Sequence, residues 1–335
     1  MLRGSVLALL LLSAIANGQS VVQDHQDGNQ PSDDCPNKDL IKPCSCSEEL
    51  GKKHLKCSSI GSPLELRKVL NNLKTKQNTV AVMELSNTNF FSFPENALFQ
   101  TQFNEMIFNN VTIVKAHFKD GKNIFMGLEH TLKIVNIFNS NISSGILWNA
   151  LEPLEELIVL EISNAELNPL PALSEWLTTY QLGKLFLTSN SISEVDENAF
   201  SKFDKLSRLS LKDNNIKEIK ASMFPTSLTF IDLSGNLLTT LPPDVFSGMQ
   251  NLQEVKLVEN NIQIIPYDVF TDYPKSLKTF DLSKNKLQCC AKWKWIMQMK
   301  DKMLGRCDTP SNLKNKNLKD VNEETLLAIE CTKID

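Results

Sequence analysis

Apolar side chains recur in one fixed pattern through the second half of the chain. Five segments follow the template L-x-x-L-x-L-x-x-N-x-L, and they begin at nearly equal steps, at Leu182, Leu206, Leu228, Leu252 and Leu277. Template positions 4 and 6 lie on either side of a single residue, so both side chains point to the same face of a short strand. The pattern predicts one strand per copy, with a buried face and an exposed face.

The same template also fits four weaker copies nearer the amino terminus. They begin at Val80, Phe103, Leu132 and Leu157. A single turn of this length cannot bury its apolar face alone, so successive turns must stack and share one core. We therefore predict nine repeats over 80–288, arranged as an α/β solenoid with a parallel sheet.

The residue at template position 9 separates the strict copies from the weaker ones. The strict copies have Asn190, Asn214, Asn236, Asn260 and Asn285, whose amides can satisfy backbone groups in the turn after the strand. The weaker copies have Thr88, Val111, Ser140 and Ala165. Because valine and alanine have no hydrogen-bonding side chain, we expect water or altered backbone geometry to satisfy those two turns, and a less regular first half.

A second column of side chains follows the strict copies. A phenylalanine stands at the same distance after the start of four of them, as Phe200, Phe224, Phe246 and Phe270. The repeated spacing predicts a stacked aromatic column in the core.

All eight cysteines lie near the ends of the repeat region, and an even number in a secreted chain favours disulfides. The first four are Cys35, Cys44, Cys46 and Cys57, and their pairing stays open. The last four are Cys289, Cys290, Cys307 and Cys331. Adjacent Cα atoms lie about 3.8 Å apart, too close for a typical disulfide, so Cys289 and Cys290 are expected to bond to Cys307 and Cys331. These spacings differ from common zinc sites, so no metal is predicted.

The two termini indicate a secreted protein. Residues 1–18 have one basic residue, a short apolar run and small residues near the end, which is the layout of a signal peptide. Residues 19–34 are polar and acidic, so we expect a disordered leader. No later segment has the length and composition of a membrane span or a lipid-anchor signal.

Cysteine-rich segments at 35–79 and 289–335 are predicted to cap the repeats. The first cap contains one expected strand, HLKC, and a helix with apolar residues at helical spacing from Leu64 to Leu73. In the second cap Ile296, Met299 and Met303 share helical spacing, which predicts a helix packed on the last repeat.

With repeats and caps together, the chain resembles extracellular leucine-rich-repeat proteins of arthropods. Its segment CPNKDLIKPCSCSEELGKKHLKCSSI is most similar to the cap of the non-catalytic leucine-rich-repeat subunit of oplophorid shrimp luciferase. The resemblance implies a horseshoe with a parallel concave β-sheet and disulfide-bonded amino- and carboxy-terminal caps. It also implies an accessory subunit of a secreted enzyme, such as a luciferase-like oxygenase, as one possible function.

Residues that could catalyse a reaction are scattered. His25, His54, His117 and His130 share no ligand or catalytic spacing, and no nucleophile or phosphate-binding motif occurs. We therefore predict a non-enzymatic protein without a cofactor. The formal net charge of −4 disfavours nucleic-acid binding.

The concave face is the expected place for a protein ligand, because template positions 3, 5 and 7 are free of the core. In repeats 2 to 5 these positions hold Ile107, Ile134, Phe138, Val159 and Phe186. Repeats 6, 8 and 9 hold mainly Arg208, Lys212, Glu254, Lys256 and Asp281. Clustered exposed apolar residues are typical of interfaces, so the first group is the predicted partner-binding site.

Two further surface features are open to more than one interpretation. Eight basic residues around the second cap form either a solvated surface or, less favoured, a site for anionic glycans or phospholipid headgroups. Asn110 and Asn141 begin glycosylation sequons. The alternative to an enzyme subunit is an extracellular protein of innate-immune recognition, matrix or adhesion.

Overall fold

The computed structural model describes residues 35–74, 80–115, 124–142, 144–270 and 274–331. The predicted signal peptide and leader lie outside these residues. The chain divides into two units, Met1–Asp33 and Asp34–Asp335, and the described residues all belong to the second.

One long sheet runs through this unit, and each of the nine predicted repeats contributes a strand to it. The strands pair in parallel in chain order from the second strand onward. The repeat strands are β3 (Val80–Ser92), β4 (Glu105–Lys115), β5 (Ile134–Phe138), β7 (Val159–Ser163), β8 (Lys184–Phe186), β9 (Arg208–Ser210), β10 (Phe230–Asp232), β11 (Glu254–Lys256) and β12 (Thr279–Asp281). A short β6 (Asn141–Ile142) pairs with β4, and helix α3 spans Ser144–Leu151. The predicted solenoid with a parallel sheet is confirmed.

The first cap is a hairpin followed by a helix. Strands β1 (Ser45–Glu49) and β2 (Lys52–Ser58) pair in antiparallel orientation after a short helix α1 (Lys38–Ile41), so the single predicted strand is one half of a hairpin. Helix α2 (Pro63–Lys74) is present as predicted and buries its apolar side chains. Disulfides join Cys35 to Cys46 and Cys44 to Cys57.

A left-handed residue turns the chain out of the strand in every repeat. Position 8 has φ between 49° and 66° in all nine repeats, at Asn87, Asn110, Asn139, Asn164, Ser189, Asp213, Gly235, Glu259 and Lys284. Asparagine tolerates this conformation better than most residues, and it occupies position 8 in the first four repeats. Two pairs bond through their amides: Asn110 Nδ2 donates to Asn87 Oδ1, and Asn164 Nδ2 donates to Asn139 Oδ1, both at 2.8 Å.

The position-9 asparagines of the strict repeats form a buried ladder between turns. Asn214 Oδ1 accepts hydrogen bonds from the N–H groups of Asn190 and Ile192, each at 3.0 Å. Its Nδ2 donates to the Leu187 carbonyl of the preceding repeat at 2.8 Å and to Leu211 O at 2.9 Å. Asn236, Asn260 and Asn285 repeat this arrangement. The predicted role of these amides is therefore present in the structure.

In the weaker repeats, the backbone N–H groups of Val111 and Ala165 at position 9 also need hydrogen-bond acceptors. The Val111 N–H donates to Ser140 Oγ at 3.0 Å, and the Ala165 N–H donates to Asn190 Oδ1 at 2.9 Å. Each N–H thus uses the position-9 side chain of the next repeat. How the groups of the preceding repeats that an asparagine at 111 or 165 would satisfy are bonded, by water or by altered backbone, stays a prediction. The backbone does differ between the halves: β3 and β4 have 13 and 11 residues, whereas β8 has 3.

The four phenylalanines of the predicted aromatic column form two contacting pairs, and the second pair continues into the second cap. Phe200 stacks on Phe224 with ring centroids 6.4 Å apart, and Phe246 lies 5.9 Å from Phe270. Phe270 then stacks on Trp295 at 4.4 Å. The core of the last repeat is therefore closed by an aromatic ring of the cap.

The second cap differs from its prediction in secondary structure. A 3₁₀ helix spans Ala291–Gln298, and Met303 begins the short strand β14 (Met303–Leu304), so one continuous helix through Met303 was wrong. Strands β13 (Leu287–Gln288) and β15 (Cys307–Thr309) pair, and helix α4 spans Glu323–Leu327. Disulfides join Cys289 to Cys307 and Cys290 to Cys331. The inference that adjacent cysteines bond elsewhere is confirmed.

Candidate binding surface

The sheet presents two faces because side chains alternate along each strand. Positions 4 and 6, such as Leu209 and Leu211, are buried in the core. Positions 3, 5 and 7 form the opposite face, which we call the outward face. Parallel pairing sets equal positions of neighbouring repeats side by side, as with Glu161 of β7 and Phe186 of β8. Three rows of side chains therefore run across the strands.

All five predicted partner-binding residues lie on the outward face, and each is half-buried. Ile134 of β5 and Val159 of β7 are direct neighbours in the position-3 row. Phe138 lies in the position-7 row between Asn109 and Ser163. The apolar residues are thus spread over three rows.

Two polar residues separate the apolar ones in the middle row. Ile107 of β4 and Phe186 of β8 share the position-5 row, and Asn136 and Glu161 stand between them. The five apolar side chains therefore surround a polar centre and do not form an unbroken patch. Asn136 Nδ2 donates to Glu105 Oε1 at 3.1 Å, which leaves Glu161 as the other polar group of that centre.

Glu161 is the unusual carboxylate of this surface. Burial raises the pKa of Glu161, because the charged form loses hydration between neighbouring strands. Among the described residues its carboxylate has no hydrogen bond or ion pair. An ionised Glu161 is therefore half-desolvated and uncompensated.

Phe230 was absent from the sequence-based list of binding residues. It stands at position 3 of repeat 7, where the same alternation could have found it. The Arg208 guanidinium carbon lies 4.0 Å from the centroid of the Phe230 ring, and Lys256 Nζ lies 5.4 Å from it. These contacts cover the ring, which is only 7% exposed, and hold Arg208 by a cation–π interaction.

Charges at the first-cap end of the outward face are internally paired. Lys56 Nζ donates to Glu49 Oε1 at 2.6 Å, and His54 Nδ1 lies 3.2 Å from Glu49 Oε2. These hydrogen bonds, that of Lys56 first, lower the pKa of Glu49 to about 2. Glu84 lies 3.7 Å from the other ring nitrogen of His54.

The strict half of the chain is similar to a known family. The sequence profile described as leucine rich repeat matches residues 181–238 and 226–287, where the strict template is found. These residues form the regular, ladder-bonded half of the sheet. The match covers about a third of the chain, and the strands there have the leucine-rich-repeat fold.

Several curated leucine-rich-repeat proteins resemble it over part of their length. Human epiphycan is 35% identical over 116 residues, which are 34% of this chain and 34% of epiphycan. Human leucine-rich repeats and immunoglobulin-like domains protein 2 is 33% identical over 37% of this chain and 12% of its own length. Mouse Toll-like receptor 7 is 30% identical over 47% of this chain and 16% of the receptor. The chain therefore spans about a third or less of these relatives.

Solved structures support the same fold. The TLR13–ssRNA13 complex aligns with a TM-score of 0.58 at 20% identity, covering 74% of this chain and 34% of the other chain. An internalin from Listeria monocytogenes aligns with a TM-score of 0.50 at 17% identity, covering 77% and 69%. At these identities the likeness concerns the fold alone.

Some basic residues of the second cap bond to other residues of the chain. Lys294 lies 3.4 Å from Glu323, and Lys314 lies 3.7 Å from Asp308. Arg306 donates from Nε to Asn317 at 3.2 Å. The predicted basic group comprises Lys292, Lys294, Lys300, Lys302, Arg306, Lys314, Lys316 and Lys319. Glycan binding at this cap stays a prediction.

Both sequon asparagines are exposed. Asn110 belongs to the left-handed column, and its side-chain nitrogen donates to Asn87. Asn141 lies on β6, and the residue that completes its sequon lies outside the described residues. Glycosylation of either stays a prediction.

Neither a metal site nor a membrane span is found in the part of the chain that the structure describes. No group of three or more His, Cys, Asp or Glu residues there is placed to hold a metal ion. No helix in that part has the length and apolar character needed to cross a bilayer.

Proposed function

We propose that this leucine-rich-repeat protein is a secreted, non-catalytic protein that holds another protein on its outward face. The observation that carries the proposal is the group of half-buried apolar side chains there, Ile107, Ile134, Phe138, Val159 and Phe186. Apolar residues gathered on one face are typical of interfaces, and a broad repeat sheet presents them together. Four disulfides support an oxidising, extracellular location.

Two versions of this function are distinguished by the partner. An accessory subunit of a secreted enzyme rests on the resemblance of the first cap, and the curated relatives reported above add no support to a luciferase partner. Extracellular recognition or adhesion is favoured by the similarity to Toll-like receptor 7, a receptor by name. Purification of the natural complex from secretions, followed by mass spectrometry, would identify the partner.

Replacement of two aromatic residues tests the binding face. The double substitution Phe138→Asp with Phe186→Asp places charges among the apolar residues, so affinity for the co-purified partner should fall at least about 100-fold. Affinity is measured by titration calorimetry, and the melting temperature checks folding.

A matched control uses aromatic residues elsewhere on the surface. Phe91 and Tyr180 are 73% and 85% exposed and lie outside positions 3, 5 and 7. Phe91→Asp with Tyr180→Asp should leave affinity unchanged. If the first double variant bound as tightly as the unmodified protein, the outward face would be excluded as the binding surface.

A further inference from the structure

The charged side chains of the outward face are almost all paired within the protein. Each paired member has an ion pair or a hydrogen bond with another described residue. These members are His54, Lys56, Glu84, Glu105, Lys212, Asp232, Glu254, Lys256 and Asp281. Exposed ion pairs of this kind are already neutralised and offer little to a partner. Asp232 and Asp281 have no ion pair, and each accepts a hydrogen bond from a backbone N–H.

Three ionisable side chains of the outward face are not paired in this way, and they lie on consecutive strands. Among the described residues, the side chains of Glu161 of β7, Lys184 of β8 and Arg208 of β9 have neither an ion pair nor a hydrogen bond. Unpaired charges are therefore concentrated at one place on the face. That place lies around Phe186, one of the predicted partner-binding residues.

The two cations are placed to meet a single anion. Lys184 and Arg208 are direct register neighbours on strands about 4.8 Å apart. Arg208 is held in place by the ring of Phe230, so little side-chain freedom is left to lose on binding. A carboxylate docked between them would gain charge-assisted hydrogen bonds from both side chains.

Glu161 would be complemented by a positive charge on the partner. It stands beside Phe186 in the position-5 row, on the side away from Arg208. Its carboxylate is half-buried without a partner, and covering it further by an apolar surface would add a desolvation penalty. A basic side chain delivered by the partner removes that penalty.

We infer that the partner presents an acidic side chain to Lys184 and Arg208 and a basic side chain to Glu161, on either side of an apolar side chain that contacts Phe186. This inference rests on the proposed function and adds the chemistry and orientation of the bound protein. The order of charges across β7 to β9 fixes which way the partner segment lies.

A protein segment fits this surface better than a polyanion. Glu161 on one side of the two cations and Asp232, which has no ion pair, on the other would repel a uniformly negative chain such as heparin. A polypeptide can place both signs within a few residues, as the surface requires.

The probe is a combinatorial library of synthetic peptides with one fixed phenylalanine. The flanking positions are Asp or Glu, Lys or Arg, or Gln, and binding is measured to the full chain. We expect enrichment of peptides with an acidic residue on one side of the phenylalanine and a basic residue on the other. Absence of binding above background, or binding without this preference, would overturn the inference.

Two pairs of substitutions then locate the charges. Glu161→Gln and Lys184→Gln should each weaken the best peptide about tenfold, with the loss reduced at high salt. The controls are Glu254→Gln and Lys256→Gln, the same changes on the same face in residues that already pair at 3.2 Å. If the two pairs of substitutions weakened peptide binding equally, the inference would be wrong. It would also be wrong if peptides failed to bind and heparin bound tightly in a way that Lys184→Gln abolished.

The aromatic double variant separates this inference from the proposed function. If Phe138→Asp with Phe186→Asp abolishes peptide binding but Glu161→Gln and Lys184→Gln do not weaken it, the face binds without using these charges, and only the inference falls. If none of these variants changes peptide binding, the outward face is not the site, and both fall.

Discussion

Glu161 shows how its place in the sheet sets the properties of a single residue. Its sequence context, VLEIS, alternates as any half-exposed strand does and gives no sign of an unusual carboxylate. In the sheet it stands between Asn136 and Phe186, and burial raises its pKa. The neighbours responsible are supplied by the preceding and the following repeat, so the sequence of its own strand could not predict them.

The raised pKa of Glu161 predicts a specific pH dependence of stability. The folded protein holds this proton more tightly than the unfolded chain, so stability falls as pH rises from the ordinary carboxyl range through the raised folded pKa, and stays lower above it. Glu161→Gln removes that loss. We expect the variant to melt at a higher temperature than the unmodified protein at pH 7 and at a similar temperature well below the ordinary carboxyl range.

Thermal unfolding of both proteins across the pH range checks this prediction. Glu254→Gln is the control, because its carboxylate is paired with Lys256 and is not expected to penalise the folded state. If Glu161→Gln melted at a lower temperature than the unmodified protein at pH 7, the charge of Glu161 would be compensated in solution.

At the scale of elements, hydrogen-bonding side chains determine how the strands end. The strict repeats have 3-residue strands, such as β9 and β10, followed by a turn held by the buried asparagine. In repeats 1 and 2 the left-handed asparagine at position 8 is followed by further strand residues, so β3 and β4 are longer. The template predicted where strands begin. Their lengths depended on contacts between repeats.

Loss of one ladder amide should destabilise the fold. Asn214→Ala leaves the buried N–H groups of Asn190 and Ile192 and the carbonyl of Leu187 without this partner. The expected loss is about 2–4 kcal/mol of unfolding free energy, measured by chemical denaturation. The exposed Asn198→Ala is the matched control and should change stability by less than about 0.5 kcal/mol. If Asn214→Ala were as stable as the control variant, the asparagine ladder would not contribute to the stability of the fold.

At the scale of the whole described unit, stability depends on closing both ends of a shared core. A stack of repeats leaves an apolar surface at each end, and each end here is covered by a disulfide-bonded cap. In the second cap Trp295 stacks on Phe270 and Trp293 stacks on Trp295, so two rings of the cap continue the aromatic contacts of the last repeat. The cap is thus part of the same core as the repeats.

Removal of the Cys290–Cys331 bond tests the importance of this closure. The bond joins residues 41 apart, so Cys290→Ser with Cys331→Ser should cost about 4 kcal/mol, chiefly by freeing the unfolded chain. Chemical denaturation under oxidising conditions measures the loss. Cys289→Ser with Cys307→Ser, which opens a bond across 18 residues, should cost slightly less, about 3 kcal/mol. No loss in either variant would show that packing alone holds the cap.

The sequence by itself determined the repeating core of this protein. Leucines at fixed template positions, a regular period and terminal cysteines leave few ways to bury the apolar face except parallel stacking between capped ends. The tertiary structure decided what the outward face presents. Three of the structure's features join different repeats. They are the contact of Arg208 with Phe230, the polar centre at Asn136 and Glu161, and the hydrogen bond from the Val111 N–H to Ser140. Template spacing fixes each residue's position within its own turn, but the chemistry of a contact depends on which side chain the next turn places beside it.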